Sequence, residues 1–339
     1  MSLMRSEATS APERVADMLA RDTALYADLA AALRARDPAL LATVARGSSD
    51  CVAGYAAWLA GARMGMLTAS VPPSLVTLYG AKLRGRSAAA LSVSQSGASP
   101  DIVAATQALR DGGALSLVIV NKVESPLAQA AEWVLPAHAG DEKSVAATKS
   151  VIASMAAVAR LIAVWSRDTG LTEALARLPD ALAVAARADW SPAVEAFAAA
   201  DRGMVIGRGA GLSAAQEAAL KFKETCLIQA EAFSAAEVRH GPFALIQPGY
   251  PVLLVAPGDA TQASILELAT RLDTLGARVL VAAPTGTVGA RLDLPPPLHP
   301  ALDPLIFLQA FYVFVEQVAQ RRGLDPDTPR NLAKVTRTV

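Results

Sequence analysis

The chain has no excess of charge of either sign. Its 339 residues include 31 lysines and arginines and 31 aspartates and glutamates, which gives a formal net charge of zero. Proteins that bind nucleic acid or an anionic membrane usually present a basic surface, and this composition does not favour one. We therefore expect a small-molecule partner, no nucleic acid and no membrane.

Cysteine and long apolar runs are also scarce. Cys51 and Cys226 are too few for the disulfide framework of a small secreted protein. Apolar residues make up 53% of the chain, yet the longest apolar stretch, residues 151–165, is interrupted by Arg160 and suits a bilayer poorly. No His, Cys and Asp residues have the spacing of metal ligands. We expect a cytoplasmic protein without a metal or cofactor.

The N-terminus lacks the apolar core of a signal peptide. Residues 1–3 stand ahead of a second methionine, Met4, and we interpret them as a leader ahead of the natural start. Residues 11–35 are predicted to form one helix, which ends at Asp37-Pro38 because the residue before a proline disfavours helical geometry.

Short apolar runs alternate with alanine-rich helical stretches along the chain. Alternation of this kind predicts an α/β fold with parallel sheets covered by helices, in about two domains. Ligands of such sheets bind at the carboxyl ends of the strands. The predicted strands are residues 41–45, 89–93, 115–120, 204–206, 252–255 and 279–282.

A weak internal repeat supports two duplicated halves. Residues 44–49 match residues 206–211, each following a strand and preceding an alanine-rich helix. The next loops differ, because residues 94–98 are rich in serine whereas residues 255–259 are not. Only the first half is therefore predicted to hold a phosphate.

The serine-rich loop follows a buried strand and leads into a helix. Ser99 is placed to cap a helix that begins at Pro100, so free amides and the hydroxyls of Ser94, Ser96 and Ser99 converge. This pattern predicts an anion site without a lysine. The alternative is an ordinary strand-to-helix turn, because short Gly/Ser motifs recur by chance.

The second half carries a charged helix face. Ser213 and Gln216 have the spacing of a capping box, which predicts a helix over residues 212–228. Glu217, Lys221 and Glu224 then share one face at spacings of four and three. They form either a proton-transfer group or a solvent-exposed row of salt bridges.

His240 precedes Gly241-Pro242, where the chain must turn. A histidine held on such a loop can reach into a cleft, and the alternative is a plain surface histidine.

Seven segments together resemble the sugar isomerase (SIS) family, most closely the isomerase half of glucosamine-6-phosphate synthases. The likeness extends from about residue 6 to the C-terminus. Its segments are residues 46–49 (RGSS), 94–97 (SQSG), 140–149 (GDEKSVAATK), 219–224 (ALKFKE), 229–233 (QAEAF), 237–242 (EVRHGP) and 329–334 (PRNLAK).

The resemblance implies roles for particular residues. Glu224 moves the proton between C1 and C2, Lys221 supports the developing enediol oxygen, and His240 opens the sugar ring. Lys334 lies over the open-chain sugar and, in synthases, forms a Schiff base. The histidine of the family reaches the site of a second subunit, so a homodimer is implied. The sugar phosphate is bound by Ser48, Ser49, Ser94, Gln95, Ser96, Ser99 and Val145.

The resemblance also implies a domain plan. Two tandem SIS domains, each a three-layer α/β/α arrangement, are expected at residues 39–167, with the phosphate cradle, and 193–324, with the catalytic residues. They are preceded by a leader and helix (1–38), joined by a helical connector (168–192) and followed by a tail that reaches the active site (325–339).

The sequence departs from the synthases at three places. Arg46 stands where they usually carry cysteine, Ala98 where they carry an acidic residue, and residues 335–339 replace their acidic terminus. The first cysteine is Cys51, so we expect no unaided use of glutamine.

The reaction expected is deamination of glucosamine 6-phosphate to fructose 6-phosphate and ammonia. Alternatives are a fructosamine 6-phosphate deglycase, another aldose–ketose phosphosugar isomerase, and a non-catalytic sugar-phosphate sensor. The sequence leaves open whether the sugar has the glucosamine or galactosamine configuration.

Overall fold

The computed structural model of the chain describes residues 1–334. The predicted departure at residues 335–339 lies outside the described residues. The N-terminal helices are Leu3–Thr9 (α1), Ala11–Ala20 (α2) and Thr23–Arg36 (α3).

The first half then alternates strands and helices. In chain order these elements are Leu40–Val44 (β1), Ser48–Met64 (α4), Leu67–Ser70 (β2), Ser74–Thr77 (α5), Ala88–Ser94 (β3), Pro100–Asp111 (α6), Leu115–Val120 (β4), Pro126–Ala130 (α7) and Trp133–Pro136 (β5).

Three helices lead from the first sheet to the second, and the alternation then resumes. The three are Lys149–Ser166 (α8), Thr169–Ala185 (α9) and Val194–Ala198 (α10). The second half has Arg202–Gly207 (β6), Ala210–Cys226 (α11), Gln229–Ser234 (β7), Pro251–Val255 (β8), Gln262–Thr274 (α12), Arg278–Pro284 (β9), Leu292–Leu294 (β10) and Asp303–Arg321 (α13).

Within residues 1–334 the strands form two five-stranded sheets, and every pairing in them is parallel. The orders are β2-β1-β3-β4-β5 and β10-β9-β8-β6-β7. The second order, taken from its β7 end, repeats the first element for element. The predicted α/β fold with two helix-flanked parallel sheets is confirmed, and the matching orders are those expected of a duplication.

The six strands predicted from apolar runs are present, and the four that were missed are the edge strands β2, β5, β7 and β10. An edge strand is less completely covered than a central one, so it does not need a continuous apolar run. All four residues of β2 are exposed, and β7 has the composition QAEAFS. A search for continuous apolar runs cannot detect such strands.

The chain divides into two compact units made of non-contiguous segments. One contains the first sheet and comprises Glu13–Glu142, Lys149–Ala176 and residues 333–334 of the described chain. The other contains the second sheet and comprises Met1–Pro12, Lys143–Thr148 and Arg177–Leu332. Each unit has its own apolar core around its sheet.

The first residues take part in the second of these units. Ser2 caps α1, because its Oγ accepts a hydrogen bond from the Arg5 amide at 3.1 Å. The Leu3 and Met4 amides donate to the Asp327 carboxylate at 2.8 and 2.7 Å. Residues 1–3, which we interpreted as a leader, therefore contribute contacts to this unit.

Two predicted helix boundaries also need correction. Residues 11–35 form two helices rather than one, and Asp22 between them has a left-handed φ of 57°. The helix expected over residues 212–228 begins at Ala210, with Gly209 as its N-cap. Ser213 lies inside the helix and donates to the Ala210 carbonyl at 3.1 Å, so the predicted capping box is not formed.

Helix α8 has the length and hydropathy of a membrane-spanning segment, with a mean hydropathy of 1.4 over 18 residues. However, 89% of that window is buried inside the protein. A helix buried to this extent packs within the protein core, and core helices commonly have the length and hydropathy of a membrane span.

Candidate active site

Lys221 lies at the centre of a buried charged group on α11. Its side chain is completely buried, as is that of Glu217, whose Oε1 is 3.4 Å from Lys221 Nζ. On the other side Lys221 Nζ contacts Glu224 Oε2 in a short ion pair. The side chain of Glu224 is 22% exposed, so one carboxylate of the group reaches solvent. The alternative of a solvent-exposed row of salt bridges is wrong.

The packing of α11 explains why a lysine can be buried here. Phe222, next to Lys221 in the chain, stacks on Phe197 of α10 with ring centroids 4.5 Å apart and meets Phe311 of α13 edge-on. This aromatic cluster presses α11 against α13 and excludes water from the face between them. Tyr312 of α13 donates its hydroxyl to Glu217 Oε1 at 3.0 Å. A buried charge is tolerated when it is paired and hydrogen-bonded in this way.

A cavity of about 190 Å³ opens beside Glu224. It is lined by the end of α11 and by the chain after α13, including Asp325, Thr328 and Arg330. Leu227, also on its wall, ends α11 with a left-handed φ of 55°, a costly conformation for leucine that is found preferentially at functional sites. Part of the segment that the sequence predicts to reach the active site, residues 325–339, thus lines the same cavity as Glu224.

The serine-rich loop of the first half is ordered by its own hydroxyls. Ser94 Oγ accepts from the Gly97 amide at 3.0 Å, and Ser96 Oγ accepts from the Ala98 amide at 3.4 Å. The amides of Gly97 and Ala98 therefore do not stand free, contrary to the expectation. A hydroxyl that accepts one hydrogen bond still has its own proton to donate, so an anion would meet O–H groups here.

Gly97 is required by the space around it. Its φ is 63°, and a Cβ at this position would lie 2.1 Å from Ser125 Oγ and 2.5 Å from Ser125 Cβ. Ser125 in turn caps α7, and the Leu127 amide donates to the Gly97 carbonyl at 3.1 Å. The loop can pack this closely on α7 only because residue 97 has no side chain.

The loop after β1 lies beside the serine-rich loop, because β1 and β3 are neighbours. Gly47, with φ 55°, caps α4, whose first two residues are Ser48 and Ser49. Arg46 donates from Nε to Asp101 Oδ2 at 3.1 Å. Burial raises the pKa of Asp50 in the first turn of α4, an effect that Arg46 opposes. Helix α6 begins at Pro100 with Ser99 at its N-cap position, as predicted, but the Ser99 side chain makes no capping hydrogen bond.

Lys334 and Val145 are placed by partners that the sequence interpretation had not singled out. Lys334 Nζ is 3.0 Å from Glu142 Oε2, and the Glu142 side chain is completely buried. Glu142 also accepts from the Ser150 amide and hydroxyl at 3.1 and 2.6 Å. The Val145 amide donates to the Asp327 carbonyl at 3.1 Å. Glu142 lies within residues 140–149, one of the segments that resemble the SIS family, and this resemblance was the sequence signal that could have identified it.

Glu7 is a further residue that was missed. Its carboxylate is buried and accepts from the amides of Lys143 and Ser144 at 2.5 and 3.1 Å. The N-terminal helix α1 thereby holds the segment that carries Val145. Nothing in the sequence of residues 1–10 indicates this contact, because Lys143 and Ser144 lie more than 130 positions away from Glu7.

His240 ends a short 3-10 turn, Glu237–His240, and is exposed. Gly241 follows with φ 151°, and Pro242 begins another 3-10 turn, so the chain turns after the imidazole as predicted.

Each unit therefore gathers its own set of predicted residues. Glu224, Lys221, His240 and Val145 belong to the unit with the second sheet. The other unit holds Lys334 and the serine-rich set of Ser48, Ser49, Ser94, Gln95, Ser96 and Ser99. Their roles in binding and catalysis stay predictions.

Comparison with known proteins follows this division. The family model of the SIS domain matches twice, at residues 37–164 and 196–285. The chain therefore belongs to the SIS domain family, and the resemblance drawn from the seven segments is confirmed.

Relatives and solved structures share this architecture. The chain is 38% identical over 266 residues to a glutamine–fructose-6-phosphate aminotransferase (isomerizing) of Aeropyrum pernix, covering 72% of this chain and 42% of that protein. It thus spans less than half the length of the curated relatives it matches. A Silicibacter pomeroyi structure assigned to the phosphosugar isomerases is 44% identical, with a TM-score of 0.91, over 96% of this chain and 100% of that one.

A glucosamine-6-phosphate deaminase of Thermotoga maritima shares the fold, with a TM-score of 0.80 at 21% identity, over 99% of this chain and 100% of that one.

Proposed function

We propose that the protein is a phosphosugar isomerase that deaminates an amino-sugar phosphate, converting glucosamine 6-phosphate to fructose 6-phosphate and ammonia. The observation that carries this proposal is the buried ion pair in which Lys221 holds Glu224 at the edge of a cavity. A carboxylate that is partly open to solvent and backed by a buried ammonium is suited to take a proton from carbon and return it. Membership of the SIS family supports the choice of substrate class.

The proposed chemistry begins with the phosphate and the ring. The phosphate is held by the hydroxyls of Ser94, Ser96 and Ser99 and by the N-terminus of α4, because helix N-termini favour anions. His240 moves a proton between the ring oxygen and the C1 hydroxyl, which opens the pyranose to the aldehyde. An imidazole can do this because it both donates and accepts protons near neutral pH.

The isomerisation is a proton transfer between adjacent carbons. Glu224 removes the proton from C2, the electrons pass to the C1 oxygen, and the Lys221 ammonium stabilises the negative charge that develops there. Glu224 then returns the proton to C1, and the C1 oxygen gains a proton as the C2 nitrogen loses one, which leaves a hydroxyl at C1 and an imine at C2. Addition of water to this imine and loss of ammonia give fructose 6-phosphate, so atoms and charges balance without a cofactor.

The remaining parts of the proposal concern the tail and the assembly. Lys334 is proposed to lie over the open-chain sugar, with its ammonium supported by Glu142. His240 is proposed to act in the site of a second copy of the chain, which makes the enzyme a homodimer in the cytoplasm. The exposure of His240 in the single chain is compatible with such a role.

The test is incubation of the purified protein with glucosamine 6-phosphate, without glutamine, with ammonia and fructose 6-phosphate followed together. Equal release of both, lost in Glu224→Gln, is the expected result. Galactosamine 6-phosphate is assayed in parallel and decides the configuration preferred at C4.

Three outcomes would overturn the deaminase proposal. Release only from a fructosamine 6-phosphate would indicate a deglycase. Formation of glucosamine 6-phosphate from fructose 6-phosphate and glutamine would indicate a synthase. Binding of sugar phosphate in a thermal-shift assay, without turnover of any of these substrates, would indicate a sensor.

A further inference from the structure

Arg46 lies at the place where a ligand of this sheet is expected. In the order β2-β1-β3-β4-β5 the chain leaves β1 toward one side and β3 toward the other, so a crevice opens between the loops that follow them. The register pairs Val44, the last residue of β1, with Ser92, and β3 ends two residues later at Ser94, so the loop that carries Arg46 leaves the sheet beside this strand end. The backbone of Arg46 therefore borders the serine-rich loop.

The guanidinium of Arg46 is held by a buried carboxylate. Its Nε donates to Asp101 Oδ2 at 3.1 Å, and the Asp101 side chain is 1% exposed. The other oxygen of Asp101 accepts from the Ile102 amide at 2.9 Å, which fixes the carboxylate in the first turn of α6. Asp101 thus anchors the arginine from the side of the helix that begins next to Ser99.

Much of the arginine is still accessible. The Arg46 side chain is 53% exposed, and the contact with Asp101 uses Nε. A guanidinium carries four further N–H donors on its two terminal nitrogens, in a planar fork that matches the oxygens of a phosphate. Anchoring at Nε reduces the entropy that the side chain would lose on binding.

The internal repeat supplies a natural comparison. Arg208 occupies the position in the second half that corresponds to Arg46, after β6 and before Gly209, the N-cap of α11. It contacts the first turn of the corresponding helix α12, but through Ser264 Oγ at 3.2 Å rather than through a buried carboxylate. The loop next to it, residues 256–259, lacks the serines of the first half.

We propose that Arg46 is a phosphate-binding residue, positioned by Asp101, that supplies the positive charge which the serine-rich loop lacks. The proposal rests on the proposed function for the identity of the sugar phosphate. A charge-assisted hydrogen bond from a guanidinium to phosphate is about twice as strong as one from a neutral hydroxyl. Arg46 would therefore contribute more to phosphate affinity than any single serine of the loop.

The test measures binding without relying on turnover. Isothermal titration calorimetry is done in a Glu224→Gln background, which stops turnover, and gives the Kd of glucosamine 6-phosphate and of glucosamine for the otherwise wild-type protein and for Arg46→Ala, Arg46→Lys and Arg208→Ala. We expect Arg46→Ala to weaken glucosamine 6-phosphate by about 10- to 100-fold and Arg46→Lys by less, because lysine keeps the charge but loses the fork. Arg208→Ala, the matched control, should stay within about twofold of the wild type.

Positioning by Asp101 is tested by combining variants. Asp101→Asn keeps the shape of the side chain but removes its charge, so it should weaken phosphate binding in the wild type and add little in Arg46→Ala. Thermal unfolding confirms that each variant is folded. In steady-state assays Arg46→Ala should raise KM and leave kcat nearly unchanged. The reason is that the phosphate contact stabilises the bound substrate and the transition state equally.

The failure of this inference is distinct from failure of the proposed function. If the wild type binds glucosamine 6-phosphate and Arg46→Ala binds it equally well, the assignment of Arg46 is wrong and the proposed function stands. If Arg208→Ala weakens binding as much as Arg46→Ala, the effect is one of overall charge and the assignment is also wrong. If the wild type binds no sugar phosphate, both are overturned.

Discussion

The loops after β3 and β8 occupy the same place in two sheets of the same order, yet they use their amides differently. After β3, serine hydroxyls accept from the loop amides and keep their own protons. After β8, carboxylates accept the hydrogen bonds of the loop amides. Gly258 donates to Asp303 at 2.7 Å, and the Thr261 amide donates to Asp259 at 2.8 Å. A duplicated loop thus stays compatible with an anion or excludes one, according to which side chains accept from its amides.

The pKa of Asp303 shows how the carboxylates of the second loop differ electrostatically from the serines of the first. Burial raises the pKa of its carboxyl to about 6, although the hydrogen bond from Gly258 opposes the rise, and the charge of nearby Asp259 adds to it. The negative field of two carboxylates would repel a phosphate at this place. The second half instead carries a charged group on α11, where Lys221 and Glu224 have no counterpart in the first repeat.

The largest expected effect is a loss of kcat from a substitution in the second half, with substrate binding by the first half retained. Glu224→Gln removes the proposed base and leaves the serine-rich loop intact, so kcat should fall by about 10²- to 10⁴-fold while glucosamine 6-phosphate still binds. Stopped assays of fructose 6-phosphate and calorimetric titration of the sugar phosphate measure the two quantities. Turnover near the wild-type rate would contradict the role of Glu224.

A second comparison sets one glycine in each half against the other. Gly97 and Gly286 have φ of 63° and 85°, but a Cβ would clash only at Gly97, since Gly286 has nothing within 4 Å. Gly286→Ala should cost about 1 kcal/mol of backbone strain. Gly97→Ala should cost about 1–3 kcal/mol more, because Ser125 or the loop must move.

Urea unfolding measures the loss of stability in both glycine variants, and calorimetry measures their affinity for glucosamine 6-phosphate. Only Gly97→Ala should also weaken binding. Equal stability and equal affinity in the two variants would show that the close packing of Gly97 on Ser125 does not shape the loop.

A further effect is a pH dependence confined to the second half. The pKa of Asp303 is raised from its ordinary 3.8 to about 6, so the folded state favours the protonated carboxyl. Its favourable contribution to stability is complete below pH 4 and is lost as the pH rises through 6. Asp303→Asn cannot ionise, so relative to the wild type it should gain about 2–3 kcal/mol between pH 4 and 8.

Urea unfolding of wild type and Asp303→Asn across this pH range measures the difference. A gap between the two proteins that stays constant with pH would contradict the raised pKa. Ser264→Ala, at a half-buried position of α12 that does not ionise, serves as a control that should show no such trend.

Much of the fold was predictable, and the failures have a common cause. The central strands were found because burial on both faces demands continuous apolar runs, whereas the edge strands escaped that rule. The capping box at Ser213 was a local pattern that the actual start of α11 at Ala210 overrode, because the repeat of Gly47 and Gly209 sets the turn before each helix. Local patterns were reliable where they coincided with burial.

The candidate site divides in the same way. The spacing of Glu217, Lys221 and Glu224 placed them on one helix face, and this is observed. The residues that anchor other members of the site were not predictable, since each acts over a long separation. Asp101 is 55 positions from Arg46, and Glu142 is 192 positions from Lys334. The family segments include Glu142 and Lys334 separately, but no periodicity or motif shows that such residues form a pair.

The sequence by itself determined the alternation of strands and helices, the duplication, the serine-rich loop and the order of charges along α11. All of these follow from side-chain period and turn chemistry, which act over a few residues. The tertiary structure decided which charges are buried and which partners hold them. Burial of Lys221 depends on the packing of α10 and α13, and a charge becomes a base, an anchor or a solvated surface group according to the surroundings that distant segments build.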